Sequence, residues 1–219
     1  MSKISTIILI DQIPKEGIQK CLDLVESIVE FSKGKPLTRE NTDQITKKLG
    51  SLVSGTRLYP GGSSVLFGWS FYFEDIGHII IKPYYRREIT ALFIHYFTLQ
   101  DFTPYLDEIQ LKIQSSRIKI TIPKVIGFAK IRTLAVEYPV LLTSEVLGDS
   151  IHKKSSLIAL TSKLAKKVGN KGIIMDPYPS NWKYTVKNGE IIIAYIDLLS
   201  SNLIKNLENR ISELIKNYE

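Results

Sequence analysis

The sequence contains little cysteine and histidine. One cysteine, Cys21, and three histidines occur among 219 residues, all far apart. A single cysteine cannot form an internal disulfide, and this spacing matches no zinc site. Cys21 lies in an apolar stretch with helical periodicity, so the pattern predicts a buried structural thiol rather than a reactive one.

The sequence also lacks a long hydrophobic run, a repeat and a low-complexity segment. The apolar run at residues 4–10 ends at Asp11, which makes it too short for a membrane span, and no small-residue cleavage site follows it. We therefore expect a cytoplasmic protein that does not enter a membrane. The net charge of +7 favours an anionic partner such as a nucleotide, RNA or an acidic protein, without choosing among them.

Hydrophobic periodicity predicts an α+β chain in three parts. Residues 1–55 form a helical extension, with helices at 16–31 and 38–52, the second capped by Thr38. Residues 56–145 are rich in strands, and residues 146–219 are mostly helical. We expect two helices inside the second part, at 88–97 and 104–115, because Pro104 interrupts the pattern. In the third part we expect a helix at 155–168 and a last helix from about residue 203.

The most informative stretch is residues 173–200, where polar residues flank a predicted β-hairpin. Asp176 and Asn181 are separated by a stiff Pro-Tyr-Pro-Ser turn, and Asn188-Gly189 is typical of a tight hairpin turn. If the hairpin folds back, Asn181 and Asp197 come close together, with Asp176 beside them. Such oxygen ligands suit a magnesium-phosphate site. The alternative is that all three residues only cap turns and helices.

Two further features allow both a structural and a functional interpretation. Gly61, Gly62, Ser63 and Ser64 form a turn that either closes an ordinary hairpin or offers N–H groups and hydroxyls to phosphates. Lys82 directly follows an apolar strand, so it is either a surface lysine at an edge or an amine placed against phosphate oxygens. Taken alone, each feature favours the structural interpretation.

Taken in order, these motifs resemble those of the atypical protein-kinase-like superfamily. The similarity is to RIO kinases, the KEOPS-complex kinase, aminoglycoside phosphotransferases and lipopolysaccharide kinases. Residues 176–181 (DPYPSN) resemble the D-L-H-P-G-N loop of these families, and residues 195–198 (YIDL) resemble I-D-F. The resemblance implies a bilobal kinase-like fold, with a β-rich N-lobe containing one long helix and a reduced, mostly helical C-lobe.

The resemblance also implies ATP and Mg²⁺ as cofactors and a role for each site residue. Asp176 would be the catalytic Asp, and Asn181 and Asp197 the metal ligands. Gly61, Gly62, Ser63 and Ser64 would form the nucleotide-binding loop, and Lys82 would contact the α/β-phosphates. Glu108 is the expected partner of Lys82, with Glu88 and Asp101 as competitors. The segment from Glu145 to Leu147 would bind adenine through its backbone.

Three departures from the family pattern bear on activity. Ile174-Met175 precedes Asp176 where a His-Gly or His-Arg pair is usual, Leu198-Leu199 replaces Phe-Gly, and only residues 198–219 follow Asp197. We therefore expect that a full activation segment is missing, and that the protein is a minimal ATP-dependent phosphotransferase or ATPase that relies on a protein or RNA–protein partner. The alternatives are a pseudokinase-like scaffold that binds nucleotide without turnover, and a basic RNA- or protein-binding module.

Overall fold

A computed structural model of the chain describes residues 8–9, 15–60, 66–85, 87, 89–112, 117–132, 137–169, 178–196 and 207–218. The helices are α1 (Lys15–Ser32), α2 (Arg39–Leu52), α3 (Ile89–Lys112), α4 (Ser155–Gly169) and α5 (Leu207–Tyr218). The strands are β1 (Ile8–Leu9), β2 (Arg57–Pro60), β3 (Phe67–Phe73), β4 (Gly77–Pro83), β5 (Ile118–Thr121), β6 (Val125–Arg132), β7 (Glu137–Ser144), β8 (Asp149–Ser150), β9 (Trp182–Lys187) and β10 (Glu190–Tyr195). Among the described residues, no helix has the length and apolarity that crossing a membrane requires.

The expected α+β class is confirmed, and the chain divides into two compact units. The first unit comprises Met1–Leu92, Val125–Glu145 and Ile215–Glu219. The second comprises Phe93–Lys124 and Val146–Leu214. In the part of the chain that the structure describes, each unit contains one β-sheet, with six strands in the first unit and four in the second.

The sheet of the first unit is antiparallel throughout, in the order β1-β6-β7-β4-β3-β2. Successive side chains alternate between its two faces. On one face, Ile79 and Ile81 of β4 are buried together with apolar residues of α1 and α2. Lys82 alternates with Ile81 and therefore lies on the opposite face. We call this opposite side the Lys82 face.

The two N-terminal helices share a single hydrophobic core with the first sheet. Apolar positions of α1 such as Val25 and Ile28 recur at helical spacing and are fully buried in this core. Thr38 caps α2 as predicted, its side chain accepting a hydrogen bond from the Asn41 N–H. The Trp69 indole N–H of β3 donates to Thr46 Oγ1 of α2 at 2.9 Å, which fixes the helix against the sheet.

Cys21 lies in this core with no exposed surface, so the prediction of a buried thiol is confirmed. Burial raises the pKa of Cys21 to about 12. The thiol is therefore protonated at neutral pH, and it packs as a small apolar side chain.

The sheet of the second unit has the order β5-β10-β9-β8. Strands β9 and β10 form the hairpin predicted around Asn188-Gly189, with Lys187 opposite Glu190. Asn188 and Gly189 have φ of 53° and 78°, the positive values that a two-residue hairpin turn requires. Strand β5 pairs with β10 in parallel, so it joins the hairpin from a distant part of the sequence.

The predicted break at Pro104 is wrong. Helix α3 runs without interruption over 24 residues, Ile89–Lys112, and includes the proline. A proline inside a helix removes one backbone hydrogen bond and costs about 3 kcal/mol. Phe93, Phe97 and Phe102 of the same helix are buried. Because most helical stability in proteins comes from such tertiary packing, their burial outweighs the local penalty.

Candidate functional site

Asn181 lies at the base of the β9–β10 hairpin. Its backbone C=O accepts a hydrogen bond of 2.9 Å from the N–H of Ile196, one step beyond the pair Trp182 and Tyr195. Asp197 is the next residue after Ile196 in the chain, and Asp176 and Asp197 lie outside the described residues. The metal-site prediction requires the hairpin to fold back so that Asn181 and Asp197 come close together. The backbone shows this fold-back as far as Ile196.

The turn before Asn181 is fixed by its own backbone and by β8. Residues Pro179–Asn181 form a short 3-10 turn, in which the Asn181 N–H donates to the C=O of Tyr178 at 3.0 Å. The Ser150 hydroxyl donates to the Pro179 C=O at 3.3 Å. Proline presets the backbone for such a turn, so residues 178–181 fold as their composition predicts.

A close backbone approach holds β8 against this hairpin. Gly148 has φ of 151°, and a Cβ at this position would collide with the Tyr184 C=O. The Trp182 and Tyr195 rings at the hairpin base are buried, with centroids 4.7 Å apart. This packing fixes the base of the hairpin, where Asn181 lies.

Lys82 lies on a central strand. Strand β4 is between β3 and β7, and Lys82 is half-buried opposite Leu141. The interpretation of Lys82 as a lysine on a sheet edge is therefore wrong. The turn containing Gly61, Gly62, Ser63 and Ser64 connects β2 to β3 and lies outside the described residues. Glu108 lies on α3, and its side chain is likewise outside them.

Glu145 follows β7, and its side chain is deeply buried, which the sequence did not predict. The side chain is 4% exposed, and its carboxylate accepts hydrogen bonds from the Tyr59 phenol at 2.7 Å and from the Ser70 hydroxyl. His78 Nδ1 is 3.6 Å from the same carboxylate. We call these four residues the Glu145 cluster. The sequence signal that could have indicated it is a charged residue directly after an apolar strand.

The Glu145 cluster lies on the Lys82 face. His78 alternates with Ile79, and Ser70 is opposite Ile80, so both side chains are on the same side of the sheet as Lys82. Because Lys82 is opposite Leu141, four residues before Glu145, the two Cα positions are about 13 Å apart along the strands. The structure thus places Lys82 and Glu145 on one face without direct contact between their backbones.

The cluster changes the acidity of Tyr59. Burial and the hydrogen bond to Glu145 raise the pKa of the Tyr59 phenol, and the carboxylate charge acts in the same direction, whereas Arg57 opposes them. The phenol therefore keeps its proton at neutral pH and acts as a donor to Glu145.

The sequence predicts that the segment from Glu145 to Leu147 binds adenine through its backbone. Leu147 is 41% exposed, and the C=O of Val146 accepts a hydrogen bond of 3.2 Å from Lys183 Nζ. One of the backbone acceptors in this segment is therefore already engaged by a lysine of β9.

Of the three residues of the predicted magnesium-phosphate site, Asn181 is among the described residues. Among the described residues, which exclude Asp176 and Asp197, no group of three or more His, Cys, Asp or Glu side chains is arranged to hold a metal ion. Asn181 adds an amide oxygen, a ligand type that magnesium accepts alongside carboxylates. The chain matches no protein-family model, and no curated protein is similar to it at a significant level.

Proposed function

We propose that the protein is a minimal, bilobal kinase-like phosphotransferase or ATPase that uses Mg-ATP. The observation that carries this proposal is the hydrogen bond from the Ile196 N–H to the Asn181 C=O at the hairpin base. It brings the residue before Asp197 beside Asn181, as a site with one Asn and one Asp ligand requires. Asp176, five residues before Asn181, completes the proposed set.

The order of elements around these residues supports the proposal. In protein kinases a glycine-rich loop covers the phosphates, and the phosphate-binding lysine is on the third strand. Here the Gly-Gly-Ser-Ser turn connects β2 and β3, and Lys82 lies on β4, the third strand of the β2–β3–β4 meander. A long helix, α3, follows Lys82 along the chain.

Each residue would have one task in the reaction. The Lys82 ammonium would neutralise phosphate oxygens, and Asn181 and Asp197 would hold the magnesium ion. Bound magnesium would offset the negative charge of the β- and γ-phosphates. Asp176 would accept the proton of the acceptor hydroxyl, or orient a water molecule for attack on the γ-phosphorus. Catalysis by these residues would consist of positioning and charge neutralisation.

The test is an assay with γ-labelled ATP, scored for labelled protein and for free phosphate. We expect Asp197→Ala to abolish magnesium-dependent nucleotide binding, and Asp176→Ala to keep binding but lose turnover by about 100-fold or more. Asp149→Ala is the matched control, because Asp149 is an exposed carboxylate on β8. Equal turnover by the wild type and Asp176→Ala would refute the proposal.

A second candidate, a nucleotide-binding scaffold without turnover, is favoured by the residues next to the proposed acids. Ile174-Met175 stands where the families it resembles have His-Gly or His-Arg, and Leu198-Leu199 stands where they have Phe-Gly. Magnesium-dependent ATP binding without phosphate release in the same assay would select this candidate. The retention of Lys82, Asp176, Asn181 and Asp197 together favours the active enzyme.

A further inference from the structure

We propose that Glu145 is a positioning residue: its carboxylate couples the end of β7 to the end of β2 through Tyr59, and so sets the affinity for nucleotide. The second half of this statement rests on the proposed function, since it requires the protein to bind nucleotide. The coupling itself is a property of the first unit and is tested separately.

The cluster joins four strands at one point. Tyr59 is on β2, Ser70 on β3 and His78 on β4, and all three approach the carboxylate that follows β7. The backbone adds a further link, because the Glu145 N–H donates to the His78 C=O at 2.8 Å. A shift of the chain at residue 145 is therefore transmitted to three other strands.

The cluster is held more tightly than an ordinary surface contact. Hydrogen bonds to a charged acceptor are stronger than those between neutral groups, and the 4% exposure of the Glu145 side chain leaves little water to replace a lost donor. Gly68, opposite Tyr59, is crowded as well, since a Cβ there would meet Ile80 at 3.0 Å. The Tyr59 side chain lies beside this small residue and reaches across the sheet towards Glu145.

Tyr59 connects this network to the end of β2, the strand that precedes the predicted phosphate-binding residues. It is two residues before Gly61, the first of these residues in the sequence. Removing the donor at Tyr59 or the charge at Glu145 loosens the same connection, so the two changes are expected to be non-additive. His78, at the other side of the cluster, is on the same strand as Lys82 and four residues before it.

The variants are Glu145→Gln, Tyr59→Phe and the double variant, which retain the size of each side chain. The control is Glu190→Gln, which removes the charge of an ion pair on the second sheet, where Lys119 Nζ is 2.7 Å from Glu190. Each protein is examined by amide hydrogen exchange without ligand and by titration with Mg-ATP, at a temperature at which circular dichroism shows it to be folded.

In the exchange experiment we expect Glu145→Gln and Tyr59→Phe to accelerate exchange in peptides covering residues 57–66 and 145–148, while Glu190→Gln leaves both unchanged. Unchanged exchange at residues 57–66 in Glu145→Gln overturns the coupling, whether or not the protein binds nucleotide.

In the titration we expect each single variant to raise the Kd for Mg-ATP by about 10-fold, and the double variant to raise it no further than the larger single effect. The link to nucleotide is overturned if the Kd of the double variant rises by the product of the two single effects. It is also overturned if Glu145→Gln binds Mg-ATP with wild-type affinity. If the wild type binds no Mg-ATP, the proposed function and the affinity statement both fail, and the exchange experiment alone decides the coupling.

Discussion

At the residue scale, backbone conformation determines what a substitution does. Gly189 has φ of 78° in the hairpin turn, whereas Gly50 lies inside α2 in an exposed position with nothing within 4 Å of an added Cβ. At position 189, a residue with a side chain is strained by the positive φ. At position 50, alanine reduces the conformational freedom of the unfolded chain.

We therefore predict opposite effects of the same substitution. Gly189→Ala should lower the free energy of unfolding by about 1 kcal/mol, and Gly50→Ala should raise it by about 0.5–1 kcal/mol. Urea unfolding followed by circular dichroism measures both. A stabilising effect of Gly189→Ala would contradict the turn geometry.

At the element scale, an arginine of α5 contacts α3 within the second unit. Arg210 makes a bidentate contact with Asp101, at 2.6 and 3.2 Å, and its guanidinium carbon is 4.0 Å from the centroid of the Phe97 ring. Both charged side chains are about 30% exposed, at 31% and 28%. Asp101, one of the competitors for pairing with Lys82, therefore has Arg210 as a partner.

Arg210→Lys should destabilise the protein by about 1 kcal/mol, because an ammonium cannot reproduce the bidentate pair or the stacking on Phe97. Asp75→Asn is the control, since Asp75 pairs with Lys20 at the surface, where both side chains are about 40% exposed. Its unfolding midpoint in urea should not change. If the lysine variant were as stable as the wild type, the contact would not hold α5.

At the scale of the whole molecule, nucleotide binding should appear as a gain in stability. A ligand that binds only the folded state at 100 times its Kd adds about 2.7 kcal/mol. We predict a rise in melting temperature with Mg-ATP, and a smaller rise with ATP and EDTA, because Asn181 and Asp197 are the proposed metal ligands. Thermal unfolding of the wild type and of Asp197→Ala measures this effect. Identical shifts with and without magnesium would contradict the metal site.

The parts of the fold that depend on neighbouring residues were predictable from the sequence. The face of α1, the Thr38 cap and the Asn188-Gly189 turn each depend on side chains within a few positions of one another, and all three are observed. The fold-back of the hairpin that brings Ile196 to Asn181 follows from the same turn. These features were determined by sequence alone.

The remainder was decided by tertiary packing. The helix through Pro104 persists because buried aromatic residues offset a local penalty. The pairing of β5 with β10 and the Glu145 cluster join distant residues, with Tyr59 and Glu145 separated by 86 positions. No local pattern specifies such contacts, because strand order and register depend on how the whole sheet buries its apolar face. The sequence alone predicted the candidate site at the hairpin. Only the tertiary structure showed that Tyr59, Ser70 and His78 surround the carboxylate of Glu145 at the end of β7.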